Sequence, residues 1–496
     1  MALLTLLSGC AAGPDYHKPG PPPDAAYAPT PLPSATSGSD IHGGEVQHLI
    51  AGGNLAFEWW QQFQSPALDA LVAQAFKANP TITAAQAALA QAQELVRAQR
   101  GFFYPTVGAG LQAQRVKVAG NFTQGSSLGI QGNGENLGQP LAPASPLYYQ
   151  LYNAGLTVGF VPDVFGANRR QVEALAAQGD AQRFQLAATY VTLASNVVAA
   201  AIQEASLRAQ IEATRQIIDA DEKSLQILRD QFRLGFAMRI DVAAQEAALA
   251  QAQTSLPPLQ KQLEQTRDLI RMLAGNLPNQ EVPGTFELDA LQLPPELPLS
   301  LPARIIEQRP DVRAAEAQLH AANAQVGVAV AAMLPQFSIT GTLGGTADQI
   351  PDLFRTGGPY WTLIGGVTQP VFAGGTLLHT ERAARAALKQ AAAQYQTTVI
   401  TAYQNVADTL HASLSDADAL GGAAESENAA KVAYDLTRRQ MEVGYVNYLM
   451  LLNAETTYQQ ALIQRVQAQA TRFGDTVALF QALGGGWWNR KELAAN

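Results

Sequence analysis

The sequence predicts a mixed α and β membrane protein with an internal two-fold repeat, each half joining a pair of long strands to a hairpin of very long helices. Three observations carry this. First, Leu186, Tyr190, Leu193, Val197, Ala200, Glu204, Leu207, Ile211, Thr214, Ile218, Asp221, Leu225, Leu228 and Phe232 follow one another by alternating steps of four and three. A period of 3.5 keeps one stripe of a helix against a partner while both supercoil to the left. Only Glu204, Thr214 and Asp221 interrupt its apolar character. Second, the stretches after Pro105 and Pro335 change to period two, the mark of a strand with unlike faces. Third, Gln231 and Gln440, Gly235 and Gly444, Glu246 and Glu455, and Gly275 and Gly484 all stand 209 residues apart, as an internal duplication requires.

Residues 1–10 form a short apolar segment ending in Ser8-Gly9 before Cys10, the only cysteine. A small-residue site with a cysteine directly behind it resembles a bacterial lipoprotein signal, which implies a covalent lipid on Cys10 and a place outside the cytoplasm. The plainer reading is a chance thiol. The segment lacks the basic residues of a leader, so the start of translation is expected upstream. A single cysteine excludes a disulfide within the chain.

Residues 11–66 are proline-rich, with Pro21-Pro22-Pro23, and are expected to run extended as a strap. Near its end Phe57, Trp59 and Trp60 form an aromatic knot expected to anchor it by packing. Residues 67–275 make the first repeat: one helical segment over 67–99, a strand pair within 104–160, and a long helical hairpin. Without proline between Ala167 and Ser255, the first arm to Gly235 extends for about 100 Å. Gly235 and Gly444 end their helices, since glycine adopts the left-handed conformation without strain. Residues 302–486 repeat the plan, with a helix over 302–332, a strand pair within 336–372 and a second hairpin. Pro80 answers Pro310 and Pro105 answers Pro335 at a separation of 230. The fall from 230 to 209 leaves 21 extra residues in the first half, in a long loop over about 119–146 against a shorter one over about 347–359. Residues 276–301 are a proline-rich connector anchored by Phe286, Leu288, Leu291 and Leu293, and 487–496 are a short tail.

Thr106, Gly108, Gly110, Gln112 and Gln114 alternate with Val107, Ala109, Leu111 and Ala113; Gln336, Ser338, Thr340 and Thr342 alternate with Phe337, Ile339, Gly341 and Leu343. A small polar face opposite an apolar one suits a barrel with lipid outside and water inside. Four strands do not close a barrel, and an open edge in lipid leaves backbone groups unpaired at several kcal/mol each. Three chains are the simplest cyclic solution. The residues therefore predict a trimeric twelve-stranded membrane β-barrel joined to a tube of long coiled-coil helices.

Gly13-Pro14-Asp15-Tyr16 behind the lipoprotein start, Trp59-Trp60 running into Pro66-Ala67-Leu68, the duplicated strand pair and hairpin, the Gly235 and Gly444 turns, and the closing Ala482-Leu483-Gly484-Gly485-Gly486-Trp487 together resemble the outer-membrane efflux factors of Gram-negative bacteria. Within these the chain is similar to the lipoprotein branch serving tripartite drug pumps. The resemblance covers essentially the whole chain. It implies a homotrimer held in outer-membrane lipid, a trimeric twelve-stranded outer-membrane β-barrel continuous with a long α-helical coiled-coil periplasmic barrel, docked on a periplasmic adaptor protein and an inner-membrane efflux transporter. Such a trimer is a passive gated conduit for drugs or other small molecules. The resemblance also implies two sites. The adaptor-contacting turns match Leu234, Gly235, Phe236 and Ala237, and Val443, Gly444, Tyr445 and Val446. The periplasmic gate matches Asp241, Leu449 and Asn453. Relatives often carry an acid at the place of Asn453, and some a second at Met450, so an apolar and amide constriction is expected here rather than a ring of carboxylates. From the residues alone, Asp241 also reads as a helix N-cap and Leu449 as seam packing.

Other classes find little support. A net charge of -9 without a basic patch argues against a nucleic-acid partner. No run of twenty apolar residues offers a spanning helix. The six histidines are scattered without metal-ligand spacing, and there is no phosphate loop. Gly125-Ser126-Ser127-Leu128-Gly129 matches the nucleophile-elbow pattern, but in a loop and not between a strand and a helix. No enzymatic activity, metal or cofactor is expected beyond the lipid on Cys10. The alternatives are the same fold in type I protein secretion or metal efflux, or a trimeric coiled-coil envelope spacer, against which the glycine-faced strands speak.

Overall fold

The computed structural model describes residues 11–22, 26–118, 147–282, 284–355 and 357–490. Short strand β1 (His48–Ala51) precedes helices α1 (Pro66–Ala78) and α2 (Pro80–Arg100). Strands β2 (Thr106–Val118) and β3 (Leu147–Phe160) lead to the hairpin of α3 (Ala167–Arg233) and α4 (Arg239–Leu273). Strand β4 (Glu296–Leu299) ends the connector, and the second half follows with α5 (Pro302–Gln308), α6 (Pro310–Ala331), β5 (Gln336–Ala347), β6 (Pro359–Thr368), α7 (Thr376–Glu442) and α8 (Tyr448–Ala482). The long arms α3 and α7 are both 67 residues and the returning arms α4 and α8 both 35, so the duplication holds to the residue.

The single helices expected over 67–99 and 302–332 are each broken. Proline lacks an N–H and its ring crowds the residue before it out of the α region. Asn79 and Arg309 accordingly adopt extended backbone, with ψ of 122° and 124°. Strand β6 also stops earlier than expected, at Thr368 rather than near Phe372, just before Pro370, which has no ladder donor to give.

By contacts the chain divides into two compact units. One is built from residues 94–176 and 321–388 with the segment ending at Tyr16. It holds an antiparallel sheet in the order β2-β3-β5-β6. Directly paired residues share a face, and the register makes each face continuous. Val107 pairs with Val158, Ala109 with Leu156, Leu156 with Leu343 and Leu343 with Trp361 on one side. Gln112 pairs with Asn153, Asn153 with Thr346 and Thr342 with Thr362 on the other. Where β3 meets β5, Gly155 faces Gly344. A Cβ on Gly344 would stand 2.6 Å from the Ala154 carbonyl oxygen, so the close approach that joins the two halves of the sheet needs glycine.

The other unit contains residues 17–93, 177–320 and the chain from 389 on. The seam positions of α3 from Leu186 to Leu228 are buried, Ile218 by half, while Phe232 at the tip is exposed. The three polar interruptions are buried too, and each has a partner. Glu204 accepts from Nε and Nη2 of Arg208 at 2.9 and 2.7 Å, the Thr214 hydroxyl donates to the Gln210 carbonyl at 2.7 Å, and Asp221 accepts from Gln245. One 18-residue window of α3 is apolar enough to cross a membrane, yet 67% of it is buried within the protein, as a packed seam requires.

Phe286, Leu288, Leu291 and Leu293 of the connector are buried as expected. Its end, β4, pairs in parallel with β1 of the strap, a two-stranded sheet that no local pattern announced. Trp59 and Trp60 are buried with rings edge to face, and Trp59 lies 5.3 Å from the Phe480 ring. Trp487 is buried and its indole N–H donates to the Gln308 carbonyl, tying the end of the second repeat to the short helix α5.

Candidate functional site

The hairpin turns are the most exposed apolar features of the helical unit. Both are built alike. The N–H of Phe236 donates to the Gln231 carbonyl at 2.8 Å and that of Gly235 to Phe232 at 3.0 Å; Tyr445 donates to Gln440 at 2.9 Å and Gly444 to Met441 at 3.0 Å. This pair of bonds satisfies the last carbonyls of a helix around a left-handed residue, and both glycines have φ of +82°. Phe236 and Tyr445 at the crests are 83% and 84% exposed, with Leu234 and Val443 also open. Ala237 and Val446, on the far side of each crest, are half-buried.

Beneath the turns the two hairpins share one apolar cluster, Leu225 and Leu228 of α3, Val242 of α4 and Tyr448 of α8, against which Ala237, Leu451 and Leu452 pack. The candidate gate residues stand near the starts of α4 and α8, two of the helices that build it. Asp241 is not the N-cap of α4. That place is taken by Met238, and Asp241, three residues on, reaches back so that its Oδ2 accepts from the Met238 N–H at 3.1 Å, the carboxylate half of a capping box. At the matching point of α8, Asn447 caps with its own side chain, accepting from the Met450 N–H at 3.0 Å. Leu449 is 53% exposed and so does not serve as seam packing within its chain; Met450 and Asn453 are exposed as well. Leu449 and Asn453, four apart on α8, lie on one face.

A buried polar network beside this cluster is what sequence reasoning missed. Gln245 of α4 donates to the Asp221 backbone carbonyl and to its Oδ1, each at 3.1 Å, and accepts from the Tyr448 hydroxyl. Glu455 of α8, 4% exposed, lies close enough to feel the charge of Asp221. Burial first, then the charge of Asp221, pushes the Glu455 carboxyl up to about 7 against the opposing pull of Arg438. Burial also raises Asp221, opposed by hydrogen bonds from Gln245 and Gln459. The signal was present in part: Asp221 was already a polar residue at a seam position.

The second feature is the polar face of the sheet. Its residues run from Thr106 to Gln114 on β2, with Asn153 and Thr157, then Ser338 to Thr346 and Thr362 to Thr368 in alternation. Among the described residues of these strands the face carries no charged side chain.

The third feature is the segment after Cys10. Cys10 itself lies outside the described residues, as does Gly125-Ser126-Ser127-Leu128-Gly129. From Ala12 the chain is clamped beside the start of α3: Ala12 donates to the Phe165 carbonyl at 2.9 Å, and Arg170 donates to the Ala12 carbonyl at 3.1 Å and to Asp15 at 2.7 Å. Asn323 donates to the Pro14 carbonyl at 3.1 Å. Gly13, with φ of +91°, lies so close to Gly327 that a Cβ would come within 2.4 Å of its Cα.

A sheet with one apolar and one uncharged polar face, continuous in sequence with hairpins of this length, defines a membrane channel subunit. Sequence comparison makes the assignment specific. The family description "outer membrane efflux protein" matches residues 71–276 and 301–485, and the chain belongs to that family. It is 28% identical over 429 residues to the pyoverdine export outer membrane protein of Pseudomonas putida, covering 86% of this chain and 88% of that one. It is 28% identical over 493 residues to a toluene efflux pump outer membrane protein, also of Pseudomonas putida, covering 98% and 94%. Among solved structures, the outer-membrane channel OprN superposes with a TM-score of 0.82 at 26% identity, covering 96% of this chain and 100% of that one. The open-state outer membrane channel MtrE of Neisseria gonorrhoeae superposes at 0.78 and 25% identity, covering 97% and 99%. The protein is thus an outer-membrane efflux channel with its helical part in the periplasm.

Proposed function

We propose that three copies of this chain close a twelve-stranded barrel and act as the passive exit duct of a tripartite pump, joined through an adaptor to an inner-membrane transporter. One observation carries the reading: in the four-stranded sheet β2 and β6 each pair on one side only, while the apolar face is continuous across all four strands. In lipid those edges need partners, and β6 of one copy meeting β2 of the next supplies them. The uncharged polar face lining such a barrel selects little by charge, in keeping with relatives named for pyoverdine, toluene and antibiotics. Exported compounds of this chain are small molecules on this reading.

The exposed crests at Leu234 to Ala237 and Val443 to Val446 are the adaptor-contacting turns, and Leu449, Asn453 and Asp241 are the gate. An adaptor opens the gate only by binding the open arrangement better than the closed one. A lipid on Cys10 fits the clamp that holds residues 12–15 against the sheet-bearing unit. Imaging of detergent-purified particles tests the assembly: hollow cylinders with threefold end views are expected, and compact monomers would overturn it. Replacing Leu449 with alanine should raise single-channel conductance in a planar bilayer, and an unchanged value removes Leu449 from the gate.

A further inference from the structure

The apolar face of the sheet is broken at one place. Along β2 the residues on that face are Val107, Ala109, Leu111 and Ala113, and the next two in the same alternation are Arg115 and Lys117. The register with β3 runs without a slip from Thr106 opposite Gly159 to Val118 opposite Leu147. No bulge turns these side chains to the other face. Both are exposed. Arg115 stands opposite Gln150 and Lys117 opposite Tyr148, with the Lys117 ammonium 5.4 Å from the centre of the Tyr148 ring. Among the described residues neither cation has a carboxylate partner.

Their height is informative. Helix α2 ends just before β2 begins and α3 begins just after β3 ends, so that end of the sheet is periplasmic and Arg115 and Lys117 lie at the exterior end. Tyr104, an exposed ring at the periplasmic end, precedes Arg115 by eleven residues. That is about 37 Å along a strand at about 3.4 Å per residue, or about 28 Å of height at a tilt of about 40°. The apolar band of an outer-membrane barrel is about 25 Å tall. Arg115 and Lys117 therefore clear the hydrocarbon and sit among the headgroups of the outer leaflet, where a cation is tolerated and an aromatic ring is at home.

We infer that Arg115 and Lys117, with Tyr148 and Gln150, form a site on the outside of the barrel for the phosphate of an outer-leaflet lipid headgroup. The inference rests on reading this face as the lipid-facing one. An arginine fork meets phosphate oxygens through two parallel hydrogen bonds, and a lysine adds a point charge. Two positions along the strand separate them by about 7 Å, a span that admits one phosphate between them, with Gln150 donating from the next strand. Among the described residues of the strands the polar face lacks charge, so the cations, on the other face, do not serve the passage of exported molecules. They fasten the channel to the anionic surface of its leaflet.

The test compares the full-length chain with the Arg115→Gln/Lys117→Gln double variant in phosphatidylcholine vesicles containing a minor fraction of phosphatidic acid. Fluorescent phosphatidic acid and phosphatidylcholine are followed at the protein by energy transfer. The unaltered chain should enrich phosphatidic acid about tenfold, the size of one charge-assisted contact, and lose the enrichment at high salt. The double variant should lose it, and Arg115→Lys/Lys117→Arg should keep it. Equal enrichment by the double variant would overturn the site. Displacement of the lipid by millimolar inorganic phosphate would also overturn it, by showing a site for a soluble anion. A stable oligomer of the unaltered chain without enrichment removes this site alone, whereas failure to form a heat-stable oligomer removes the barrel reading and the site with it.

Discussion

Glu246 and Glu455 stand 209 residues apart at the same point of the two returning helices, and their surroundings are opposite. Glu246 is accessible, paired with Arg229 at 2.9 Å and Arg239 at 3.9 Å, and the hydrogen bond from Arg229 lowers its pKa. Glu455 is buried and pushed up to about 7. The backbone around them is the same, down to matched glycine turns with φ of +82°. What differs is the rest of the repeat. Asp221 and Gln245 of the first half correspond to Ala430 and Ala454, and Tyr448 of the second half to Arg239, so the duplication yields one buried polar network, assembled from both halves, and not two. A duplicated fold reproduces its backbone in both copies and is free to change the side chains each copy contributes.

The largest expected effect comes from pH. A carboxyl whose folded pKa is raised binds more protons folded than unfolded, so its contribution is fully present below its ordinary value near 4.5 and declines as pH rises to about 7. Asp221 shifts in the same direction and reinforces this. Thermal melting of the helical signal should therefore show tip stability falling between these limits by up to about 3 kcal/mol. Glu455→Gln should flatten that slope, while Glu246→Gln leaves it standing; equal slopes in both variants would erase the contrast.

Next is Gln245→Leu, which removes the donor to Asp221 and the acceptor of Tyr448 in one change. It should cost about 1–3 kcal/mol by the same melting measurement. A smaller cost should follow from alanine at Gly235 or at Gly444, about 1–2 kcal/mol each. Because neither position meets steric crowding and the dihedrals agree, the two variants should lower the melting temperature alike; unequal shifts would show that the turns are not equivalent. Least of all, Asp241→Ala and Asn447→Ala each remove one capping bond and should cost about 0.5–1 kcal/mol, read as increased hydrogen exchange at the first turns of α4 and α8.

Much of the architecture was legible because it is written in local period and punctuation. The α3 seam, the four strands with their two faces and the Gly235 and Gly444 turns all follow from steps of 3.5, steps of two and left-handed glycine. The breaks at Asn79 and Arg309 were not read, though their signal was just as local: Pro80 and Pro310 stood inside the helices expected to run unbroken. The parallel pairing of β1 with β4 was not legible, since strands of four residues separated by some 250 positions in the chain leave no periodic trace. Asp241 was placed at a helix start correctly and at the wrong step of it, because capping depends on which residue leaves the helical conformation first, and that was Met238.

The sequence by itself determined what each segment is: a long amphipathic arm, a returning arm, a strand with a wet and a dry face, a turn. Those properties arise from neighbours within a few residues, and the chain carries them wherever it goes. Only the tertiary structure decided that Leu449 is left uncovered by its own chain, that Gln245 joins Asp221 to Tyr448, and that one of two equivalent glutamates holds its proton near neutral pH. Burial and electrostatic coupling depend on distance through space, and the groups concerned stand far apart along the chain until the two hairpins meet.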